Sequence, residues 1–500
     1  MTSTDTISAG LQDATVATFD PDGFSSLLQC ELRIYSDQAR DAVDSAVRTL
    51  AEQALGNTSL ISDDIVATIQ SIIASIDDKL STQVNEILHH EDFQNLESAW
   101  RGLHHLTVNT ETDETLKIRF LPVSKKELSR ALKKYKGVSW DQSPLFKKIY
   151  EEEYGQIGGE PYGCLIADYY FDHTPPDIEL LSGLAQIAAA SHSPLISAVS
   201  PHLLQMDSWR ELSNPRDITK IFLTPEHATW RAFRESENSR YVALTLPRTL
   251  GRLPYGTKTN PVDEFAFEEE TDGGDSQRYL WTNAAYAMGV NITRSFKLYG
   301  WLSRIRGVES GGLVEGLPVH TFRSDDGGVD LKCPTETAIS DRREAELSKN
   351  GLLPLLHRKN TDLGVFIGAQ TVNKPIKYED LDASANAELS ARLPYIFAIC
   401  RFAHYLKCLV RDKIGTFKER HEVEEWLNQW IQRYVHPSPE LGSEESKAQQ
   451  PLSSAKVEVD EAEDNPGYYT ARFYLRPHYQ LEGLTISLRL VSRLPSARKG

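Results

Sequence analysis

Between about residue 160 and residue 370, short apolar runs recur, Cys164-Leu165-Ile166-Ala167 and Leu363-Gly364-Val365-Phe366-Ile367 among them. Helical segments separate them. Short apolar runs that alternate with helices read as buried strands, and they build a mixed α/β core. The chain has 500 residues, which at roughly 150 per domain makes about three domains, or two large ones with extensions. A core of that size needs neither disulfides nor a metal to fold.

The flanks have a different character. Residues 1–34 read as an arm rich in Thr, Ser, Asp and Ala, closing on the apolar-polar run Phe24 to Ile34. A helix follows with Ala39, Val43, Ala46, Leu50 and Ala54 on one face, Val47 beside them. That narrow stripe fits packing on its own domain or on another chain. Gly56-Asn57-Thr58 ends it. A second helix is expected from Asp63, as N-cap, to His89, burying Ile65, Ile69, Ile72, Ile76 and Leu80. Leu116 to Val123 reads as a strand, and Ser124 with Glu127 as a capping box opening the next helix. Leu180 to Val199 is the most apolar stretch. Gln186, His192 and Pro194 interrupt it, so it reads as a buried helix and not as a membrane span.

At the other end, residues 437–467 are acidic and read as a solvated connector. After Asn465 the sign reverses, with Arg472, Arg476, Arg489, Arg493, Arg498 and Lys499 against Glu482 alone. This segregation points to ionic contact with something acidic, another copy included. Leu484-Thr485-Ile486-Ser487-Leu488-Arg489-Leu490 alternates apolar and polar residues, the pattern of a strand with one buried face. Tyr468 to Leu475 is a second strand, and Gln480 to Gly483 can join the two as a hairpin. Two strands are marginal alone and call for a third, from this chain or a neighbour.

Motifs for chemistry fail on spacing. The net charge of −17 disfavours nucleic acid. Five scattered cysteines make no Cys-x-x-Cys pair, which indicates neither a disulfide framework nor a zinc site and points to a reducing cytoplasm. The N-terminus has acidic residues and no apolar segment, the opposite of a secretory signal. Gly251 to Thr259 looks like a phosphate loop, but its Lys258 stands one residue late and Pro254 removes an N–H. Asp325 to Glu336 lacks the middle ligands of a calcium loop. His90 and His104 would lie about 21 Å apart along one helix, too far to share an ion. Trp230, Arg231, Phe233 and Arg234 pack a helix better than they stack on bases. No nucleophile elbow appears. The expectation is no catalytic, cofactor or metal residue. An α/β enzyme whose pocket escapes spacing rules stays open.

Ile87-Leu-His-His90 with Phe93-Gln-Asn-Leu-Glu-Ser-Ala-Trp100-Arg-Gly-Leu103, and Gln142-Ser-Pro-Leu-Phe-Lys147 with Ile149-Tyr-Glu151, resemble the large sheath subunit of the bacterial type VI secretion system. Gly158-Gly-Glu-Pro-Tyr-Gly163, Leu246-Pro-Arg248, Leu253-Pro-Tyr-Gly256 and Asn260-Pro-Val262 extend the match. So do Tyr279-Leu-Trp281, Asn283-Ala-Ala-Tyr286, Ile305-Arg-Gly307, Leu317-Pro-Val-His320, Pro334-Thr-Glu336 and Asp341-Arg-Arg-Glu344. Asn465 to Tyr469, Phe473 to Pro477 and Gln480 to Gly483 close it. The blocks run from about residue 60 to the end.

The resemblance implies a non-enzymatic subunit of a contractile tail-sheath-like fold, with a C-terminal domain similar to a phage baseplate component. It implies three regions: 1–60 as arm and linker helix, 61–375 as the sheath α/β domain, and 376–500 as a C-terminal domain ending in a hairpin. Implied partners are a small sheath subunit, neighbouring copies, an inner-tube protein, the baseplate, and a disassembly AAA+ ATPase acting mainly through the small subunit. Nucleic acid and membrane insertion are not implied, and the setting is the bacterial cytoplasm. Strands donated between subunits are placed at Tyr469, Arg472, Tyr474, Leu484, Ile486, Leu488 and Leu490, and a partner-helix face at Val43, Val47 and Leu50. A phage-like contractile particle is the related alternative; a required small subunit separates the two.

Overall fold

The computed structural model describes residues 65–478 together with 45, 49 and 480, apart from 215–216, 264, 272, 274–275, 324–326, 414–418, 439–440, 462–468 and 479. The chain divides into Met1–Glu86 with Val262–Phe267, and Ile87–Pro261 with Glu268–Gly500. Helix α1 (Ile65–Leu88) lies in the first unit up to Glu86. It appears where the apolar spacing places it. Ile72 is buried, but Leu80 is 42 % exposed, contrary to expectation. Leu80 stands about 80° around the helix from Ile72, beyond the edge of the stripe.

The second unit opens with α2 (Glu91–Val108) and α3 (Lys125–Lys134). Ser124 caps α3 with both reciprocal bonds of the capping box, as its spacing from Glu127 requires. The stretch before it, Leu116 to Val123, joins no ladder among the described residues, where a strand was expected. The core then alternates as the apolar runs indicate: β1 (Leu165–Phe171), α4 (Pro175–Ser191), β2 (Leu195–Val199), α5 (Ala228–Glu235) and β3 (Val242–Leu246). The pairs β4 (Thr249–Leu250) with β5 (Trp281–Thr282), and β7 (Thr321–Arg323) with β8 (Val329–Leu331), lie outside the main sheet. Between and after them come α6 (Ala284–Tyr299), β6 (Leu313–Val314), α7 (Asp341–Lys349), β9 (Leu353–His357) and β10 (Gly364–Phe366).

The six-stranded sheet has the order β1-β2-β3-β9-β10-β6. Its first four strands are parallel, and β10 runs antiparallel to both neighbours. Successive residues of a strand point to opposite faces. Accordingly Leu195 and Val199 of β2, with Val242 and Leu244 of β3, enter a cluster holding Leu181, Trp209 and Trp230. Ile196 and Ala243 enter the opposite cluster with Met288 and Phe397. Each fully buried Leu or Phe contributes about 2 kcal/mol relative to exposure. Both faces are thus covered, and strands of this kind read as continuous apolar runs for that reason.

The run Leu180–Val199 is not one helix. Helix α4 stops at Ser191, His192 takes a left-handed conformation (φ 53°), and the Ser193 N–H closes onto the Ala188 carbonyl at 2.9 Å. Pro194 disfavours helix in the residue before it, so the remaining apolar residues pair as β2. Gly102 of α2 faces the Tyr286 ring so closely that a Cβ there would lie 2.3 Å from it. Only glycine allows α2 and α6 to meet at that point.

The chain ends its described course in α8 (Leu393–Lys413), α9 (Arg420–Gln432), α10 (Glu444–Gln449), β11 (Leu452–Glu461) and β12 (Tyr469–Pro477). Among the described residues, α8 is the one helix long and apolar enough to cross a bilayer by length and composition. Its Leu393 and Phe397 sit in the second cluster and its Phe402 in a third, so it ties two cores together.

Candidate assembly interface

Helix α9 buries Leu427, Trp430 and Ile431 against Trp301, Phe402 and the inward residues of β11 and β12, Val457 and Val459 foremost. Trp301, Phe402, Tyr405, Trp430 and Tyr434 form a continuous aromatic cluster, with ring centroids 4.7–6.5 Å apart. Edge-to-face contacts of this type add about 1 kcal/mol each beyond burial. This floor carries a two-stranded antiparallel ribbon. Val457 lies opposite Phe473, Glu458 opposite Arg472, and Glu461 opposite Tyr469.

One expectation is corrected here. Residues 437–467 contain α10 and a ten-residue strand as well as connector. One edge of β12 pairs upstream with β11, and Leu484–Leu490, expected to form a hairpin with it, lies outside the described residues. The acids of this stretch misled because Glu458 and Asp460 alternate with Val457 and Val459. The charges occupy the open face while the valines are buried.

One edge of the ribbon is closed by side chains. The Asn428 amide donates to the Val457 carbonyl (2.9 Å) and accepts from the Val457 N–H (3.0 Å). Gln432 donates to the Ala455 carbonyl at 3.0 Å, and Arg420 to the Val459 carbonyl at 2.9 Å. Helix α9 therefore satisfies the groups that would otherwise form an open strand edge. Since 455, 457 and 459 face α9, the intervening residues bond β12, and Ala471, Phe473 and Leu475 must turn their N–H and C=O groups away from β11. Among the described residues no strand pairs that outer edge. Asn428→Ala strips both partners from Val457, so it should cost about 1–3 kcal/mol by thermal or urea unfolding.

Of the residues singled out, Tyr469 pairs through its backbone with Glu461. Arg472 and Tyr474 stand on the open face, where Arg472 meets Asp460 at 3.1 Å and Tyr474 is 52 % exposed. Lys456 donates to Glu458 at 2.6 Å, which holds the Glu458 carboxyl below its usual range. Leu484, Ile486, Leu488 and Leu490 lie outside the described residues, as do Val43, Val47 and Leu50.

The phosphate-loop lookalike is occupied by acids. The Tyr255 N–H donates to Glu269 and the Thr257 N–H to Glu268, at 2.8 and 2.9 Å. Arg252, stacked on Tyr255 at 4.3 Å, bridges Glu269 (2.5 Å) and Glu97 (2.7 Å). No spacing signal marks this network, because its members lie on three distant segments. The neighbouring histidines at 89 and 90 turn to different partners: His90 caps α2 by accepting from the Asp92 N–H, and His89 faces Glu269 at 3.5 Å. Among the described residues no three His, Cys, Asp or Glu side chains could hold a metal. Cys333 and His357 do meet. Hydrogen bonds from His357 and Thr335 overcome burial and lower the thiol, and the His357 ring is bonded to the Thr361 carbonyl at 2.8 Å. A groove of about 500 Å³ lies elsewhere, between Lys133, Trp140, Gly183 and Phe233.

Residues 70–373 match the family model of the EvpB/VC_A0108 tail sheath N-terminal domain, and residues 382–494 that of its gpW/gp25-like domain. The chain is 68 % identical over 476 residues to the type VI secretion system sheath protein TssC1 of Pseudomonas aeruginosa (strain PAO1), covering 95 % of this chain and 96 % of that one. Among solved structures it is similar to a chain of the anti-feeding prophage baseplate, with TM-score 0.37 and 11 % identity over 76 % of this chain and 84 % of that one. It is also similar to the contracted helical sheath of that prophage, with TM-score 0.30 and 12 % identity over 62 % and 66 %. Through both domain models and a relative matched along nearly its whole length, the chain belongs to the EvpB/VC_A0108 tail sheath family of type VI secretion.

Proposed function

We propose that the chain is the large subunit of a contractile sheath. With a small sheath subunit and neighbouring copies it builds a helical tube around an inner tube, seated on a baseplate in the bacterial cytoplasm. Shortening drives the inner tube out of the cell, and an AAA+ ATPase, acting mainly through the small subunit, takes the spent sheath apart. The role is mechanical and uses no catalytic group, cofactor or metal of this chain. Residues 61–375 supply the wall domain, 376–500 the C-terminal domain, and 1–60 the arm and linker helix.

The observation that carries this reading is the outer edge of β12. A sheath that shortens without falling apart needs links that survive sliding and rotation, and strands shared between subunits meet that need. The ladder holds while the loops leading to it bend. In this reading Tyr469, Arg472 and Tyr474, with Leu484, Ile486, Leu488 and Leu490, form the shared strands. Val43, Val47 and Leu50 face a helix of the small subunit. Electron microscopy of the chain co-expressed with the small subunit, and of the chain alone, tests it. Hollow ridged tubules are expected only in the co-expressed sample; monodisperse particles in both would reject the assembly.

A further inference from the structure

Cys333-Pro334-Thr335-Glu336 runs beside β4 and is held there by its backbone. The Pro334 carbonyl accepts from the Leu250 N–H at 2.8 Å, and the Glu336 N–H donates to the Arg248 carbonyl at 2.9 Å. Thr335 is fully buried, whereas Cys333 is partly exposed. Polar groups converge on its sulfur. The Thr335 hydroxyl lies 3.1 Å from Sγ, the Thr335 N–H bonds it as well, and His357 at the end of β9 completes the set.

The His357 ring is fixed in turn. Its Nε2 lies 2.8 Å from the Thr361 carbonyl. A carbonyl only accepts, so Nε2 carries a proton and Nδ1 is the nitrogen left for Cys333. A thiol, a base beside it and a third group that orients the base form the arrangement that activates a nucleophile. Burial alone would raise the Cys333 thiol, but hydrogen bonds from His357 and Thr335 and the charge of His357 hold it below its ordinary value. Burial alone would lower His357, and the same contact raises it. The thiols of Cys164 and Cys400 have no such support: burial pushes Cys164 up to about 12 and raises Cys400 too.

We propose that Cys333 is an oxidation site, where a small hydroperoxide converts the thiol to sulfenic acid with His357 as the proton donor. The Cys333 thiolate attacks one peroxide oxygen. An S–O bond forms as the O–O bond breaks, so sulfur is oxidised and the departing oxygen reduced. With hydrogen peroxide the departing hydroxide takes the proton of the His357 imidazolium and leaves as water. A low-molecular-weight thiol can then condense with the sulfenic acid, forming a mixed disulfide and a second water, which makes the change reversible. Size favours this reagent. The groove of about 500 Å³ is lined by other residues and gives this thiol no bed for an extended substrate, and hydrogen peroxide needs none. The proposal is independent of the sheath reading and involves no second chain.

Alkylation of the native full-length chain by iodoacetamide, followed at Cys333 by peptide mass spectrometry across a pH series, tests it first. An ordinary thiol of pKa about 8.5 is only about 3 % ionised at pH 7. Cys333 should therefore react about tenfold faster at pH 7 than in a short peptide of the same sequence, the lower nucleophilicity of an acidic thiol included. Its rate should also level off at lower pH than the peptide's. His357→Gln can keep the bond to Thr361 while removing the base, and should return both rate and profile toward the peptide's. With hydrogen peroxide and dimedone, which traps sulfenic acid, the adduct should form at Cys333 before Cys164 or Cys400. A native Cys333 that titrates as the peptide does, or a dimedone adduct that forms first at Cys164 or Cys400, overturns the proposal, and both use the native chain alone. An unchanged pH profile in a folded His357→Gln chain overturns it as well.

Discussion

Ala471→Pro is expected to abolish sheath tubules in co-expressed samples while changing the Tm of the isolated chain by only a few degrees. Ala471 lies opposite Val459, and the Val459 carbonyl is engaged by Arg420 of α9. Both residues therefore sit at a position where main-chain groups point away from the partner strand. The N–H that proline removes is directed to the open edge, and proline is tolerated in strands at such positions. The ribbon and its aromatic floor remain, and a strand arriving from a neighbour loses a donor and meets the ring. Arg472→Pro is the contrast. Its N–H points into β11, so that variant should melt the ribbon itself. Negative-stain microscopy with circular dichroism separates the two outcomes. Normal tubule numbers with Ala471→Pro would show that this edge is not an assembly surface.

The largest stability effect is expected from Arg252→Ala. Arg252 is 7 % exposed, and its guanidinium bonds Glu97 and Glu269 together. Removing it leaves the buried Glu269 and the part-buried Glu97 without their shared cation, at a cost of about 3–5 kcal/mol. At about 2–4 °C per kcal/mol for a domain of this size, Tm should drop by roughly 6–20 °C. The loss should depend on pH. Burial alone would raise the Glu97 carboxyl, but hydrogen bonds and charge from Arg252 and Arg101 hold it below its ordinary value. A carboxyl depressed in this way contributes stability above its unfolded pKa and loses it as pH falls through its folded pKa. The gap between native chain and variant should therefore be widest near neutral pH and narrow below about pH 4, where carboxylates protonate. Thermal unfolding at pH 7 and at about pH 3, below the ordinary carboxylate range, checks both sign and size; a pH-independent gap would mean that lost packing, and not lost charge, destabilises the variant.

Residues whose information is local behave as their pattern requires. The apolar runs at 165–167 and 364–366 are strands, Ser124 and Glu127 form the capping box, and Trp230 and Phe233 pack a short helix. Where the reading failed, two signals competed. In Leu180–Val199 the apolar content was right, but Pro194 and the left-handed His192 divide it into helix and strand. In the acidic stretch, charge outweighed the alternation of Val457 and Val459 and concealed β11. At Leu116–Val123 the strand pattern is present and, among the described residues, the ladder is not.

What the sequence by itself determined is the mixed α/β core, the helix starts and the family resemblance, all carried by periodicity, caps and motif order within short windows. Only the tertiary structure decided that β12 pairs upstream with β11, that side chains of α9 close one ribbon edge and leave the other, and that Arg252 joins Glu97 to Glu269. The physical reason is range. A helix cap or a strand's alternation is satisfied by residues a few positions away. A strand's partner, or a buried charge's counter-ion, is chosen by which distant groups the closed chain can bring together without leaving a polar group unpaired.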